Sequence, residues 1–427
     1  MARKTFEIPS MYHASIIKTI KDATAVTDPR KKDLDPTVLD FGPIELLIPR
    51  HFGFCYGVEN AIDIAYRTLD ENPDKRVFFL SEMIHNPTVN EDLERRGVQF
   101  LYETDGSVRI PMSELTDQDI VVVPAFGTTL EIEHTLKEIG IDPYSYNTTC
   151  PFVEKVWKRG HQLGKKGYSL VIHGKHRHEE TRATFSHSAS HSPTVVVLNP
   201  EEAQQLADIM TGDRPKEDFE ELFRHKATPG FDPHHDLKQF GVINQTTMLA
   251  TETQQVMEIL KKASESLASK DDDPIDFADT NDTLCYATNE NQSATLALAD
   301  AKPDLALVVG GYNSSNTMHL VEILEHVCPT FHVRDVHELE SPQTIHHFNQ
   351  WTKERLTTHR WLDGLIEDHT ETHSRPLRIA LNSGASCPDV LVDEVLLKLL
   401  EWFTESYKMD CTPLEEVMAP YQGVITS

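Results

Sequence analysis

The chain lacks any apolar run that approaches the roughly 18 residues of a membrane-spanning helix. No apolar segment typical of a secretory signal opens it. Its first 45 residues carry seven Lys and Arg against seven Asp and Glu, which is too acidic for a typical transit peptide. Cysteine is scarce, with six in 427 residues and none in a CxxC pair, so a disulfide scaffold is excluded. These absences predict a cytoplasmic protein with reduced thiols and no membrane partner.

Positive charge is also scarce. Forty Lys and Arg face 68 Asp and Glu, which gives a formal net charge of −28. Such a charge argues against nucleic acid or an anionic membrane as the main partner. An anionic substrate would have to be held by local hydrogen-bond donors against the overall field. At roughly 150 residues per domain, the length suggests about three domains.

Three of the six cysteines begin the same pattern, which is an amphipathic helix, an apolar strand and a polar turn that opens another helix. In each copy a polar residue of the turn follows the cysteine by 28 to 30 residues: Cys55 and His85, Cys150 and His178, Cys285 and Ser314. A second strand then ends in a small or polar turn: IVVVPAFGTT, FGVINQTT and IALNSGAS. Three copies of one unit can fold around a pseudo-threefold axis. The predicted fold is therefore α/β, a trefoil of three related domains, each a small, mostly parallel sheet with flanking helices.

The repeat also sets the predicted domain boundaries. They are an N-terminal arm at 1–43, α/β domains at 44–148, 149–275 and 276–403, and a C-terminal tail at 404–427. Two charged insertions, 209–239 and roughly 340–376, interrupt the second and third units. We expect both insertions and the arm to be peripheral, because their composition predicts little apolar burial.

The repeated cysteines are candidate metal ligands. A lone intracellular cysteine is usually a small buried apolar residue, and Cys328 and Cys411 fit that description because they lie outside the repeat. Each repeated cysteine instead lies between a strand and a helix, and a helix N-terminus favours the thiolate by about 0.3–1 kcal/mol. Structural zinc usually shows paired CxxC spacing. Three isolated thiolates on one axis favour an iron–sulfur cluster that leaves one iron open as a Lewis acid.

The polar turns predict an anion site. The NSSN segment, 313–316, lies between a strand and a helix, where backbone N–H groups and hydroxyls commonly bind anions. The SGAS segment, 383–386, repeats this design with a serine and a glycine before a helix. Plain N-capping is the commoner role of Ser and Asn at such positions. Two such turns, with His85 and His178 at matching places, favour a phosphate-bearing ligand.

Glu180 is the predicted proton donor. It lies two residues after His178, at a strand-to-helix turn. The alternative is a solvated glutamate that only stabilises the helix dipole. A carboxyl group facing an enclosed cluster would favour its protonated form, as a general acid requires. Glu179 is a rival, because the sequence does not say which carboxylate points inward.

Eight segments together resemble one enzyme family: GFCYGVENA, EMIHNPTVN, TTCPFVEKVW, IHGKHRHEET, NQTTML, CYATNENQ, VVGGYNSSNT and SGASCPD. In this order, over roughly residues 45–403, they resemble the 4-hydroxy-3-methylbut-2-enyl diphosphate reductases, which perform the last step of the non-mevalonate isoprenoid pathway. The forms AFGTT, HGKxxHEET and GGYNSSNT look like the plant and cyanobacterial branch. That branch would place the protein in a plastid stroma if its source were a plant or alga.

The resemblance implies one [4Fe–4S] cluster per chain at the centre of the trefoil, held by Cys55, Cys150 and Cys285. It implies a diphosphate site formed by His85, His178, Ser314, Ser315, Asn316 and Ser386. Thr246 and Glu180 would handle the substrate hydroxyl and its protons. The implied reaction is reductive dehydroxylation of (E)-4-hydroxy-3-methylbut-2-enyl diphosphate to isopentenyl and dimethylallyl diphosphate. Two electrons would come through the cluster, from a ferredoxin rather than a flavodoxin if the branch holds.

Two residues depart from the family pattern. Phe126 stands where many bacterial relatives carry a histidine, so one donor to the diphosphate is missing, a change that the plant-like branch shares. Cys387 follows Ser386 directly, where a small non-thiol residue is expected. A thiol that reached the open iron would block the chemistry, and we expect it to face away.

Two other classes of function remain open from the residues alone. A non-reductive iron–sulfur hydro-lyase would use the same open iron, but it would turn over without an electron donor. A structural zinc protein, or a regulatory cluster protein, would be colourless or inert, and substitution of Glu180 would change nothing.

Overall fold

A computed structural model describes residues 6–268, 276–278, 283–372 and 375–426. In these ranges the α-helices are α1 Ile16–Thr27, α2 Tyr56–Glu71, α3 Pro87–Arg95, α4 Leu130–Ile139, α5 Pro151–Gly164, α6 Glu179–Ala189, α7 Pro200–Thr211, α8 Asp218–Leu222, α9 Pro233–Asp236, α10 Ala250–Ala268, α11 Tyr286–Asp300, α12 Ser315–Glu325, α13 Asp363–Thr372, α14 Asp389–Glu401 and α15 Leu414–Thr426. The strands are β1 Thr37–Asp40, β2 Ile44–Ile48, β3 Val77–Phe79, β4 Gln99–Phe100, β5 Ile120–Val122, β6 Ser169–His173, β7 Thr194–Val197, β8 Gln239–Asn244, β9 Asp276–Ala278, β10 Leu305–Val309, β11 Thr330–Val333, β12 Leu339–Ser341, β13 Thr344–Asn349, β14 Glu354–His359 and β15 Leu377–Ser383.

The chain divides into two compact units. The first is drawn from Met1–Glu59, His85–Val89 and Tyr286–Ser427, and the second from Asn60–Ile84 and Asn90–Cys285. The boundaries proposed from the sequence for three domains stay a prediction.

The first unit contains an eight-stranded sheet in the order β1-β2-β15-β10-β11-β13-β12, with β14 paired to β13. Its central strands, from β2 to β11, are parallel, and the strands beyond them at both ends are antiparallel. Strand β10, LALVV, is buried along its whole length, as expected for a parallel strand covered on both faces.

The second unit contains two sheets, β4-β3-β5 and β7-β6-β8-β9, in which every pair is parallel. The strands β3 and β6, VFF and SLVIH, are again fully buried. Their apolar, partly β-branched composition suits this environment.

One strand order recurs in all three sheets. The strand that follows each cysteine's helix lies between two strands that come later in the chain: β4-β3-β5, β7-β6-β8 and β11-β10-β15. This confirms the predicted α/β class, with mostly parallel sheets and flanking helices. The flanking strands β4, β7 and β11 were not predicted from the sequence.

The two insertions bury more apolar surface than their composition suggested, so that prediction was wrong. In 209–239 the rings of Phe219 and Phe223 are 1% and 0% exposed. In 340–376 Leu362 is fully buried in the core of the first unit. The reason is that a few large apolar residues form the core while long charged side chains cover them.

The N-terminal arm is likewise not peripheral within its unit. Its strand β1 pairs with β2, and its helix α1 buries Ile17 and Ile20. The carboxylate of Asp393 on α14 accepts the N–H groups of Ser15, Ile16 and Ile17 at 2.7–3.0 Å, so it satisfies the start of α1 from outside the arm. None of the helices in the described part of the chain has the length and apolar character to cross a membrane.

Candidate active site

The three repeated cysteines share one local geometry. Each lies directly before a helix, and its backbone N–H donates to the carbonyl of a turn that follows a repeat strand. The pairs are Cys55 with Ala385 at 3.2 Å, Cys150 with Ala125 at 2.9 Å and Cys285 with Thr246 at 3.1 Å. The acceptors belong to the SGAS, PAFGTT and NQTT turns, which were singled out in the sequence. All three cysteines are half-buried, and none of them forms a disulfide within the described residues. The fold therefore builds the same backbone contact three times.

Burial dominates the chemistry of Cys150. It raises the pKa of this thiol to about 12, although the N–H groups of Phe152 and Val153, in the first turn of α5, lower it. The nearby charges of Cys285 and Glu180 raise the pKa further. The helix N-terminus therefore acts as predicted, but desolvation outweighs it. A thiol in this setting is neutral unless a cation compensates the thiolate, as a bound metal does.

Glu180, rather than Glu179, is the carboxylate beside Cys150. It lies in the first turn of α6 and is 2% exposed. Its oxygens accept the backbone N–H and the hydroxyl of Thr246, the latter at 3.0 Å. The Glu179 carboxylate instead accepts the hydroxyl of Ser81. Since Thr246 also accepts the N–H of Cys285, it connects the carboxylate with the second cysteine of this unit.

His178 forms the N-cap of α6, where its Nδ1 accepts the N–H of Glu180 at 3.2 Å. Phe126 meets the His178 ring edge-on, with ring centroids 5.7 Å apart. Phe126 thus packs against a proposed phosphate ligand. An apolar ring cannot donate to an oxyanion, so its contribution here is to orient His178.

The NSSN turn of the first unit is buried and arranged around Asn316. Ser314 caps α12 by accepting the N–H of Thr317 at 3.2 Å. The Asn316 side-chain oxygen accepts the N–H of Ala385 at 2.8 Å and the amide of Asn291 at 3.4 Å. Its NH2 group is buried and has no hydrogen-bond partner among the described residues. A buried donor left open in this way suits an anionic ligand, because an unsatisfied group costs about 1–3 kcal/mol.

His85 is fixed beside the same turn by its backbone. Its carbonyl accepts the hydroxyl of Ser386 at 3.0 Å. Gly311 lies so close that an added Cβ would be 2.4 Å from this carbonyl oxygen, so only glycine fits there. Ser315, 2% exposed, completes the buried set.

The remaining cysteines belong to the core. Cys387 is fully buried in the apolar core that also contains Leu391, and burial raises the pKa of its thiol. It packs in this core as an ordinary apolar residue does, with its Sγ 3.6 Å from the carbonyl oxygen of Pro388. Cys328 lies in another apolar cluster, and Cys411 packs against the core.

The structure thus brings the proposed residues into two groups, one in each unit. The second unit holds Cys150, His178, Glu180, Thr246 and Cys285. The first unit holds Cys55, His85, Ser314, Ser315, Asn316 and Ser386. Sequence reasoning missed Asn291, although a signal was available: α11 buries polar residues at helical spacing, including Asn291 and Thr295.

Within the described residues, no three His, Cys, Asp or Glu side chains lie together as ligands of a single metal ion. A cluster distributes its ligands over several irons, so this finding concerns mononuclear sites. Three cysteines with equivalent backbone contacts match the donor set of an iron–sulfur cluster. Cys150, whose burial disfavours an uncompensated thiolate, fits a cationic partner in particular.

Comparison with known proteins identifies the family of the chain. A family model described as LytB protein matches residues 46–400. The chain belongs to the LytB protein family. A 4-hydroxy-3-methylbut-2-enyl diphosphate reductase from Synechococcus sp. (strain CC9311) is 36% identical over 390 residues, covering 91% of this chain and 90% of the relative. One from Thermosynechococcus vestitus (strain NIES-2133 / IAM M-273 / BP-1) is 36% identical over 359 residues, covering 84% and 85%.

A solved structure supports the same fold for this LytB protein. It is that of the E-1-hydroxy-2-methyl-but-2-enyl-4-diphosphate reductase from Plasmodium falciparum. The TM-score is 0.59 at 22% identity, with 83% of this chain and 87% of that chain covered. At this identity the likeness concerns the fold.

Proposed function

We propose that this LytB protein reduces (E)-4-hydroxy-3-methylbut-2-enyl diphosphate to isopentenyl and dimethylallyl diphosphate, the terminal step of the non-mevalonate pathway. The relatives that it matches over most of its length carry the name of this reductase. The observation that carries the proposal is the buried carboxylate of Glu180, which lies beside Cys150 and is oriented by Thr246. A reductive dehydroxylation needs such a proton donor, because the hydroxyl must leave as water.

Cys55, Cys150 and Cys285 are the ligands we assign to one [4Fe–4S] cluster. Their shared N–H bonding supports the assignment, since each thiol is fixed in the same way. When bound, the cluster would pass on two electrons from an external donor, and its open iron would act as a Lewis acid on the substrate oxygen. The neutral state of the Cys150 thiol means that binding of the cluster releases a proton from it.

The diphosphate is assigned to His85, His178, Ser314, Ser315, Asn316 and Ser386. The open NH2 group of Asn316 is the clearest support, because a diphosphate oxygen would satisfy it. Hydrogen bonds to a charged group contribute about 1.5–3 kcal/mol each. Since the chain is strongly acidic, these local donors have to bind the anion against the net charge of −28. The hydroxyl of Ser386 now donates to His85 and would have to rotate to reach a phosphate.

Glu180 is the proton donor in this proposal, and Thr246 orients its carboxyl group. The two bonds from Thr246 fix both carboxylate oxygens, so the remaining lone pairs have a set direction. Burial excludes water from this carboxylate, which is 2% exposed. The proton can then pass to the substrate hydroxyl without exchange with solvent.

Electrons must come from outside the chain. We assign this role to a small redox protein, a ferredoxin on the strength of the relatives from Synechococcus and Thermosynechococcus. The identity of the donor is tested separately by comparing reduced ferredoxin with reduced flavodoxin.

The decisive assay uses anaerobically purified full-length protein with its cluster intact. Substrate is supplied with and without a chemical reductant, and both products are quantified. Reductant-dependent formation of isopentenyl and dimethylallyl diphosphate is expected. Turnover without reductant would instead indicate a hydro-lyase, and a colourless, inert protein would indicate a structural metal site.

A further inference from the structure

Helices α5 and α6 carry two of the proposed site residues at their starts. Cys150 directly precedes α5, and Glu180 lies in the first turn of α6. Seven residues farther along each helix, the rings of Trp157 and His187 stack, with centroids 3.8 Å apart and planes inclined by 12°. Seven residues are about two helical turns. The stack therefore joins the two helices at matching distances from Cys150 and Glu180.

Hydrogen bonds fix the orientation of both rings. Trp157 Nε1 donates to the hydroxyl of Thr184 on α6 at 3.0 Å. His187 Nε2 lies 3.2 Å from the carbonyl oxygen of Thr128, and since a carbonyl only accepts, this nitrogen carries the proton. Burial lowers the pKa of His187, while the charge of Glu133 opposes the shift. The imidazole is thus a neutral donor with one defined tautomer.

A third element packs on the stack, and it is the turn that contacts Cys150. Gly127 has φ +76°, and an added Cβ would lie 2.4 Å from the Trp157 ring. Two residues before it, the carbonyl of Ala125 accepts the N–H of Cys150. Phe126, between them, meets the ring of His178. The stack therefore contacts the turn at 125–129 from both helices.

We infer that Trp157 and His187 are positioning residues that set the distance between the Cys150 thiol and the Glu180 carboxylate. The inference rests on the proposed function, in which Glu180 is the proton donor. The stack restricts rotation and sliding of α6 against α5, and both motions would move Glu180. Misplacement of a catalytic group by about 1 Å can lower a reaction rate by about 100-fold. The ring stack can therefore affect the rate although it lies two helical turns from Glu180.

A pair of histidines near the far ends of the two helices provides a matched control, with His161 on α5 and His191 two residues after the end of α6. His161 and His191 lie eleven residues after Cys150 and Glu180, one turn beyond the stack. Their rings meet edge-on with centroids 5.0 Å apart. This pair adds a ring contact beside the ends of the two helices, but among the described residues no hydrogen bond joins it to the turn at 125–129.

The experiment compares His187→Ala with His191→Ala in the full-length, cluster-containing protein. For His187→Ala we expect kcat to fall by about tenfold or more, with KM within about twofold of wild type. The electron paramagnetic resonance signal of the reduced cluster should also change, because the setting of Cys150 changes. His191→Ala should keep both kcat and this signal. His187→Phe, which restores a ring for stacking, should recover most of the lost kcat.

Equal effects of His187→Ala and His191→Ala on kcat and on the resonance signal would overturn the inference and leave only a packing role. If His187→Ala does not fold, Trp157→Leu decides, since it removes the stacked ring together with the bond to Thr184. An unchanged kcat and signal in that variant would also overturn the inference. Absence of reductase turnover in the wild type would reject the proposed function. The comparison of the electron paramagnetic resonance signals of His187→Ala and His191→Ala would still test the positioning role.

Discussion

Thr246 donates twice to Glu180, once through its backbone N–H and once through its hydroxyl. The two bonds occupy one lone pair on each carboxylate oxygen and hold the carboxylate plane in one orientation. Because the carbonyl of Thr246 accepts the N–H of Cys285, the same residue relates the proposed acid to a proposed cluster ligand. Orientation of the acid and placement of the thiol are thus coupled through one threonine.

Glu180→Gln should abolish most turnover while the protein keeps its brown cluster and its affinity for substrate. Glutamine preserves the shape, and the threonine hydroxyl can turn to accept from the new NH2 group, so the fold should persist. Loss of a general acid lowers kcat by about 100-fold or more. Steady-state kinetics and the visible absorption spectrum measure the two effects. Glu179→Gln is the control, because that carboxylate bonds to Ser81. Unchanged kcat in the Glu180 variant would remove this residue from the mechanism.

The sequence predicted the features that depend on local periodicity and on repetition. The helix after each cysteine, the apolar strand after each helix and the polar turns all follow from spacing and capping chemistry within a few residues. The choice between Glu179 and Glu180 did not follow from spacing. It depends on Ser81 and Thr246, which are distant in the sequence.

Other features required the tertiary structure. The high pKa of Cys150 arises from burial, which outweighs the helix N-terminus that the sequence revealed. The open NH2 group of Asn316 depends on Ala385, 69 residues away, to orient the amide. The aromatic core of the insertion at 209–239 was hidden by the charged residues around it. In each case the outcome depends on residues that are brought together only in the folded chain.

Asn316→Asp should weaken substrate binding. The new carboxylate can keep the bonds from Ala385 and Asn291 through one oxygen, but it replaces the open NH2 donor with a negative oxygen. Loss of one charge-assisted bond, worth about 1.5–3 kcal/mol, raises KM by about tenfold or more with little change in kcat. Binding of inorganic diphosphate, followed by thermal shift, should weaken in parallel.

Asn382→Asp is the matched control for this change. Its NH2 group already donates to Thr295 at 2.9 Å, and its side chain is fully buried in the same unit. It should lower stability without the selective increase in KM. Equal increases in KM for the two variants would contradict the assignment of Asn316 to the diphosphate.

Substitution of any repeated cysteine should deplete the cluster. In Cys55→Ser, Cys150→Ser and Cys285→Ser a softer thiolate ligand is replaced by a hydroxyl, which binds iron poorly. Iron and sulfide per chain should fall well below the wild-type content after identical anaerobic reconstitution. Cys328→Ser serves as the control, since that thiol lies in an apolar cluster and contacts Thr330. Depletion by the control alone, or by none of the three, would contradict the proposed ligand set.

Removal of the cluster should leave a pH-dependent instability at Cys150. The pKa of this thiol is raised from 9.0 to about 12 in the folded chain. Below the unfolded value both states keep the proton. As pH rises above it, the unfolded chain loses the proton first, so folding loses stability up to the folded pKa. Between about pH 8 and pH 10, one such group costs about 1.4 kcal/mol of unfolding free energy.

Urea unfolding of the cluster-free protein at these two pH values measures the loss. Cluster-free Cys150→Ser supplies the comparison, because every other titrating group is retained and only this thiol is removed. The wild type should lose more stability than the variant over the same pH range. Equal losses in the two proteins would mean that Cys150 titrates at an ordinary pKa in the folded chain. Burial would then not explain why this thiol needs a cationic partner.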